Sequence, residues 1–323
     1  MPSSFVIVPE DESPLGRARL ALEGLSVGDA FGERFFVAEA VVAAFVERRE
    51  VPRSPWFWTD DTAMGLSIFE ILREHGTIDR NRLALRFAER YRRDPVRGYG
   101  GTAHSILSEI SLGAPWQEVS REAFDGQGSM GNGGAMRAAP IGAYFAEDLD
   151  RVVAEARASA EPTHAHLDGQ AGAIAVALAA ALSWQGRSSP WDSNANHAES
   201  FLRAIADRTP IGPTHDGLLK AAALPTSYDV RTAVAALGNG SLVISSDTVP
   251  FALWCAARHL DDYEEALWTT VSGLGDRDTT CAIVGGVVAA RTGYDGIPTS
   301  FVSAREPLDS TLNHFDRHAM GTT

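Results

Sequence analysis

Apolar residues recur at helical spacing along almost the whole chain. After Asp60, the residues Met64, Ile68, Ile71 and Leu72 form one stripe that stops at Gly76. Leu83, Phe87 and Tyr91 form a second, with arginines on the opposite face. Two segments are apolar nearly all round, the mark of a buried helix. They are residues 171–182, preceded by Gly169 and interrupted by Gly172, and residues 282–290, which contain Gly285 and Gly286. Residues 249–260 and 263–271 read as a helical pair. Strand-like runs are confined to residues 5–8 and 242–245, and neither a strand–helix alternation nor an internal period is present. The most polar stretch, residues 186–198, reads as an exposed loop within a domain. The pattern predicts one all-α domain of a dozen or more helices, with its core between about residues 15 and 295 and peripheral tails.

Composition narrows the function. The chain has 323 residues, 45% apolar and 22% charged, which excludes a disordered tail protein. A chain of this length buries roughly three-quarters of its unfolded surface and needs no covalent staple. Lys and Arg number 28 against 42 Asp and Glu, a net charge of −14, and the single lysine is Lys220. That balance argues against nonspecific duplex binding and against a cationic membrane helix. No apolar run reaches the roughly 18 residues of a membrane span, the nearest being residues 171–182. The segment after residues 5–8 is acidic, unlike a signal peptide, and the two cysteines, Cys255 and Cys281, form no CxxC. A reduced, cytoplasmic location is expected, with no membrane and no stable nucleic-acid partner.

The densest chemistry lies in two short segments about two hundred residues apart. Thr59-Asp60-Asp61-Thr62 and Asp276-Arg277-Asp278-Thr279 each open an expected helix. Either could be an ordinary helix cap, since Thr and Asp suit the positive helix end. Together they supply four carboxylates and threonine hydroxyls, a hard oxygen set suited to Mg²⁺, Mn²⁺ or Ca²⁺ and not to zinc. The stretch from Phe124 to Arg137 is glycine-rich and precedes a short apolar helix. It is either a long loop or a backbone cradle for an anion. It is no Walker loop, since no Gly-Lys-Ser/Thr follows, and no dinucleotide fingerprint, since no strand precedes it. Residues 97–102 (RGYGGT) give a weaker signal of the same kind. In Thr163-His164-Ala165-His166 a helix would splay the two rings apart, whereas an extended segment would let them share a zinc-type site; with no Cys or third His nearby, one imidazole facing a substrate, His164, is the better reading. Gly28-Asp29 alone suggests only close helix packing.

The order of these motifs resembles the ADP-ribosylglycohydrolase family, which includes dinitrogenase reductase-activating glycohydrolases and the ADP-ribosylhydrolases for arginine and serine linkages. Gly28-Asp29, Thr59–Thr62, Gly131-Asn-Gly-Gly-Ala-Met-Arg137, Thr163-His164 and Gly275-Asp-x-Asp-Thr279 occur in sequence, and the likeness runs from about Leu20 to Arg291. The resemblance implies an all-α fold with a cleft holding two Mg²⁺ or Mn²⁺ ions. The ligands it implies are Thr59, Asp60 and Asp61 from one end, and Asp276, Asp278 and Thr279 from the other. It implies that Gly128, Ser129, Met130, Gly131, Asn132 and Gly133 hold the pyrophosphate and distal ribose of ADP-ribose, that Phe124 stacks on adenine, and that His164 lines the cleft. A second stacking aromatic of the serine-linkage branch is replaced by Met130. Members often carry a glutamate seven residues beyond the Gly-Asp aspartate; here that position is Phe36, and Glu33 stands four beyond.

The expected activity is metal-dependent hydrolysis of the bond between ADP-ribose and a modified protein or small molecule, with Asp60, Asp61 and Glu33 as catalytic candidates. The rivals are an ADP-ribose-binding module without turnover, a metal-dependent phosphohydrolase on the same ions, and a structural protein that kept the fold.

Overall fold

The computed structural model describes residues 12–190 and 195–308, and these form sixteen α-helices and no strand. The first eight are α1 (Pro14–Glu33), α2 (Glu39–Arg48), α3 (Asp60–His75), α4 (Arg80–Arg93), α5 (Gly101–Ser111), α6 (Trp116–Gly126), α7 (Ala139–Tyr144) and α8 (Leu149–Ala160). The rest are α9 (Leu167–Gly186), α10 (Ala195–Ala206), α11 (Pro213–Ala223), α12 (Val230–Leu237), α13 (Ser245–Arg258), α14 (Tyr263–Val271), α15 (Arg277–Thr292) and α16 (Thr299–Ala304). The helical stripes fall where the pattern places them. Met64, Ile68, Ile71 and Leu72 are buried on α3, which Gly76 ends in a left-handed conformation, and Leu83, Phe87 and Tyr91 are buried on α4.

The axis of the molecule is the antiparallel pair α1 and α15. Its helices touch backbone to backbone through glycines one turn apart. A β-carbon placed on Gly24 would lie 2.4 Å from the Gly285 carbonyl oxygen, on Gly28 2.1 Å from that of Cys281, and on Gly32 2.2 Å from that of Arg277. No side chain fits in those gaps, so the three glycines set the helix separation. The seam brings the C-terminal end of α1 against the N-terminal end of α15. The nearly all-apolar α9 and α13 pack around this pair, and one continuous core runs from Ala18 to Ala304.

Three expectations need correction. Residues 242–245 are not a strand. Leu242 and Val243 are exposed in a turn where Val243 has φ +56°, Asp247 accepts the Leu242 N–H at 2.9 Å, and Ser245 already begins α13. Only an isolated bridge, Gly131 to Ile244, remains of the strand signal. The expected loop 186–198 is interrupted, because Gly186 still belongs to α9 and α10 starts at Ala195; residues 191–194 lie outside the described ones. The apolar run 171–182 is the middle of a 20-residue helix, which is long and apolar enough to cross a membrane, yet lies mostly buried inside this domain. The strand-like residues 5–8 lie outside the described residues.

Candidate active site

Asp29 organises the acidic end of the seam. Its carboxylate is fully buried and accepts the N–H (2.9 Å) and hydroxyl (2.8 Å) of Thr59 and the N–H (3.1 Å) and hydroxyl (2.5 Å) of Thr62. One side chain of α1 therefore satisfies the free donors at the start of α3, and fixes where that helix begins. Burial still outweighs those four bonds and pushes the Asp29 carboxyl up to about 6. From this anchor, Asp60 and Asp61 occupy the first turn of α3, where the helix dipole favours negative charge. Asp276 and Asp278 stand across from them at the start of α15.

Asp60 and Asp61 are buried, with the half-buried Asp276 and Asp278 crowded against them. Burial, then the charges of Asp29 and Asp276, raise Asp60 to about 7 despite Arg137 nearby. Asp61 is raised well above the ordinary range by burial and then by Asp278, Asp29, Asp60 and Asp276. Asp278 is raised by burial, Asp276 and Asp29. The Asp61 Oδ2 atom is buried with no hydrogen-bond donor to it. The capping alternative divides between the two segments. The Thr59 hydroxyl accepts the Asp61 N–H at 3.4 Å, an N-cap role, whereas the Asp276 side chain makes no capping bond at α15. Instead its Oδ2 accepts from the Asn132 Nδ2 at 2.7 Å, tying the acidic floor to the glycine loop. Thr279 is buried beside it. Among the described residues, no three Asp, Glu, His or Cys side chains close tightly enough on one point to enclose an ion. What fits a hard cation is the donor set: like charges crowded together, an orphaned carboxylate oxygen, and, among the described residues, no lysine or arginine hydrogen-bonded to Asp61 or Asp278.

The opposite wall is the glycine loop. Gly128, with φ +75°, packs against the backbone of Ala165 and His166, so no other residue fits there. Ser129 and Asn132 are buried; the Ser129 hydroxyl accepts the Gly131 N–H at 3.1 Å, and the Asn132 N–H reaches the Val243 carbonyl at 3.2 Å. Gly131 and Gly133 present their bare faces to His164, whose Nε2 lies 3.4 Å from where either β-carbon would be. His164 is itself buried and held far below the ordinary histidine range, at about 3, by burial and by Arg137. The HxH motif is not helical but lies just before α9, and its two rings are drawn apart by different bonds rather than by helical spacing. His166 caps α9, its Nδ1 accepting the Asp168 N–H at 3.0 Å, while His164 faces the loop.

At the loop's entrance α6 is broken at Phe124 and Asp125, which have φ of +54° and +56°, an uncommon conformation for residues with side chains. It leaves the Phe124 ring 58% exposed, beside a groove of about 450 Å³ between α5 and α6. Met130 is half-buried. Glu33 is the last residue of α1, exposed one turn beyond Asp29; partial burial and the Asp29 charge raise its carboxyl. Gly32, one residue earlier, makes the close contact with α15. Phe36 is also exposed, with the Arg277 guanidinium 5.2 Å over its ring.

Four contributors escape sequence reasoning. Asp29 is one. Arg137, fully buried, is the cation between floor and wall; its guanidinium lies 4.4 Å over Phe87 and burial lowers it to about 9. Its position inside the glycine motif, after an apolar pair, was the available signal. Arg97 and Glu306 form a clamp. Arg97 stacks 3.6 Å over Trp58, ion-pairs with Glu306, and its carbonyl accepts the Asp60 N–H at 2.7 Å. Glu306 in turn accepts the Trp58 N–H at 3.1 Å. The weak RGYGGT signal thus belongs to the floor: Gly98 sits against the Asp60 carboxylate.

Fold and site together define an all-α domain whose cleft sets an acidic floor, built from two helix N-termini, against a glycine-loop wall. The family model for ADP-ribosylglycohydrolase matches residues 10–319, and the chain belongs to that family. It is 30% identical to the ADP-ribosylhydrolase ARH3 of Homo sapiens over 334 residues, covering 92% of this chain and 91% of that protein. The Mus musculus ARH3 is 31% identical over 335 residues, covering 92% and 89%. A solved structure described as an ADP-ribosylglycohydrolase-related protein complex superposes with a TM-score of 0.65 at 24% identity, covering 91% of this chain and 94% of that one, and shares the fold.

Proposed function

We propose that the protein hydrolyses the glycosidic bond between ADP-ribose and a modified acceptor, with two divalent cations, Mg²⁺ or Mn²⁺, in the acidic floor. The observation that carries this reading is the juxtaposition within one cleft of crowded, raised carboxylates and a glycine-rich loop with bare backbone at Gly131 and Gly133. The first suits cations and the second suits phosphates, and ADP-ribose on metal needs both. Family membership and the ARH3 relatives support the same substrate. Thr59, Asp60, Asp61, Asp276, Asp278 and Thr279 would hold the ions, which when bound supply positive charge for polarising a substrate oxygen or a water.

The chain's own groups do the rest. Asp29 and the Arg97–Glu306 clamp hold Asp60 and Asp61 in place. The exposed Phe124 ring offers a face for adenine. Glu33, whose raised carboxyl keeps its proton to higher pH, is the acid/base candidate in place of the glutamate that Phe36 displaces. The test is product analysis on ADP-ribosylated arginine and serine peptides, with and without EDTA. Free ADP-ribose appearing only without EDTA is the expected result. AMP released from ADP-ribose would favour a phosphohydrolase, and tight ADP-ribose binding with no product would favour a binding module.

A further inference from the structure

The buried Arg137 does more than balance the floor. Its Nη2 donates to the Ser159 carbonyl at 3.0 Å and to the Thr163 hydroxyl oxygen at 2.8 Å. That oxygen lies 2.7 Å from the His164 Nδ1, while its other acceptor, the Ala160 carbonyl, is 3.4 Å away. A guanidinium only donates, and a hydroxyl has one proton. Thr163 therefore accepts from Arg137 and places its proton on the short contact, so Nδ1 is the acceptor and the ring proton resides on Nε2. The opposite tautomer would make the Thr163 oxygen accept twice and leave its proton on the long, weak contact to Ala160. Among the described residues no protein hydrogen bond reaches the His164 Nε2, which faces the bare backbone of Gly131 and Gly133.

We infer that Thr163 and Arg137 are positioning residues that lock His164 in its Nε2–H tautomer, so that the ring offers the glycine loop a fixed hydrogen-bond donor and not a base. The donor suits an oxygen acceptor of the ligand, a phosphate or hydroxyl oxygen; identifying that ligand with ADP-ribose rests on the function proposed above. The relay explains why a histidine follows the threonine directly: the two side chains bond to each other, and the imidazole passes on the orientation that Arg137 imposes.

The test is long-range ¹H–¹⁵N spectroscopy of the histidine rings in full-length protein, with the His164 signals assigned by their loss in His164→Asn. Wild type is expected to show a protonated Nε2 and an unprotonated Nδ1. Thr163→Val, which keeps the shape and removes the hydroxyl, is expected to abolish that single tautomer and to weaken ADP-ribose binding about tenfold. Thr163→Ser is expected to restore both. A wild-type ring protonated on Nδ1 overturns the inference, even if the valine variant fails to fold. So does a folded Thr163→Val with an unchanged spectrum. Absence of ADP-ribose binding by wild type would sink the proposed function while leaving the tautomer to be decided by the spectrum alone.

Discussion

The two sides of the cleft are built by opposite means. The floor gathers like charges from the two ends of the chain and holds them by rigid, long-range contacts: the glycine seam of α1 and α15, the Asp29 anchor, and the Arg97–Glu306 clamp. The wall comes from one continuous loop facing His164, carries no acidic side chain between Gly128 and Gly133, and is backed by the cation Arg137. The floor is a place where negative charge is expensive, and the wall one where it is welcome. The lesson is that a polyanionic ligand and a net charge of −14 are compatible when the sign of the field is sorted by wall.

The largest break in this contrast should come from the floor. Asp61→Ala and Asp278→Ala each remove a carboxylate, and activity is expected to fall more than about 100-fold, with Mg²⁺ or Mn²⁺ binding lost in calorimetry. A variant that binds metal as wild type does would remove its residue from the ligand set. Next is Glu33→Gln, which keeps size and removes only ionisation. A loss of about 10²–10⁴-fold in turnover with metal and ADP-ribose binding intact is expected of an acid/base. A rate within a few-fold of wild type would leave the chemistry to metal-bound water and the floor. Gly131→Val probes the wall alone. Its φ is not left-handed, and the nearest neighbours of an added β-carbon are the Ser129 and His164 side chains and the Val243 carbonyl, at 3.1 Å or more, so the fold should hold. ADP-ribose affinity should fall at least about tenfold, the value of about one lost hydrogen bond; an unchanged affinity in titration would return the loop to a mere connection.

The smallest expected effect is on stability, and here the two sides have opposite signs. Asp29 and Asp60 stand at about 6 and about 7 against an ordinary 3.8, so the folded state binds protons more tightly and stability falls as pH rises through that window. His164, at about 3 against 6.5, does the reverse: stability falls as pH drops below 6.5. The raised carboxyls of Asp29, Asp60, Asp61 and Asp278 outweigh one depressed imidazole between pH 5.5 and 8. In EDTA the melting temperature should therefore be several degrees higher at pH 5.5 than at pH 8, and Mn²⁺ should raise the pH 8 value most. A His164→Gln variant should widen the gap between the two pH values. A melting temperature that is flat or rising from pH 5.5 to 8 in EDTA would contradict the charge-crowded floor.

Much of this was readable from residue order. The stripes on α3 and α4 and the all-apolar α9 and α15 follow from periodicity, because burial on one face or all faces writes itself directly into spacing. The two acidic segments and the glycine loop stood out by residue type. What was hidden depends on which elements meet. Asp29 looked like a packing position beside a glycine, and only the approach of α1 to the start of α3 makes it an anchor. Gly32 is a contact point with α15, but a glycine there could equally have been a terminator, and sequence does not say which. Residues 242–245 misled because three apolar residues and a serine suit a strand or an exposed turn equally well, and the Asp247 carboxylate decides. Arg97 and Glu306 are two hundred residues apart and pair only because α16 returns the chain beside Trp56.

The glycine seam also has a consequence for how the protein comes into being. Asp29, Asp60 and Asp61 are synthesised early, but Asp276 and Asp278 follow only after more than two hundred further residues, and Glu306 later still. Until α15 emerges, α1 has no partner for its glycine face and the floor has one side. A growing chain therefore folds its middle helices around an incomplete axis, and non-local closure of this kind is slow. The acidic floor is complete only once α15 and Glu306 have been made, so a chain interrupted before α15 carries the glycine loop and one half of the floor without the other.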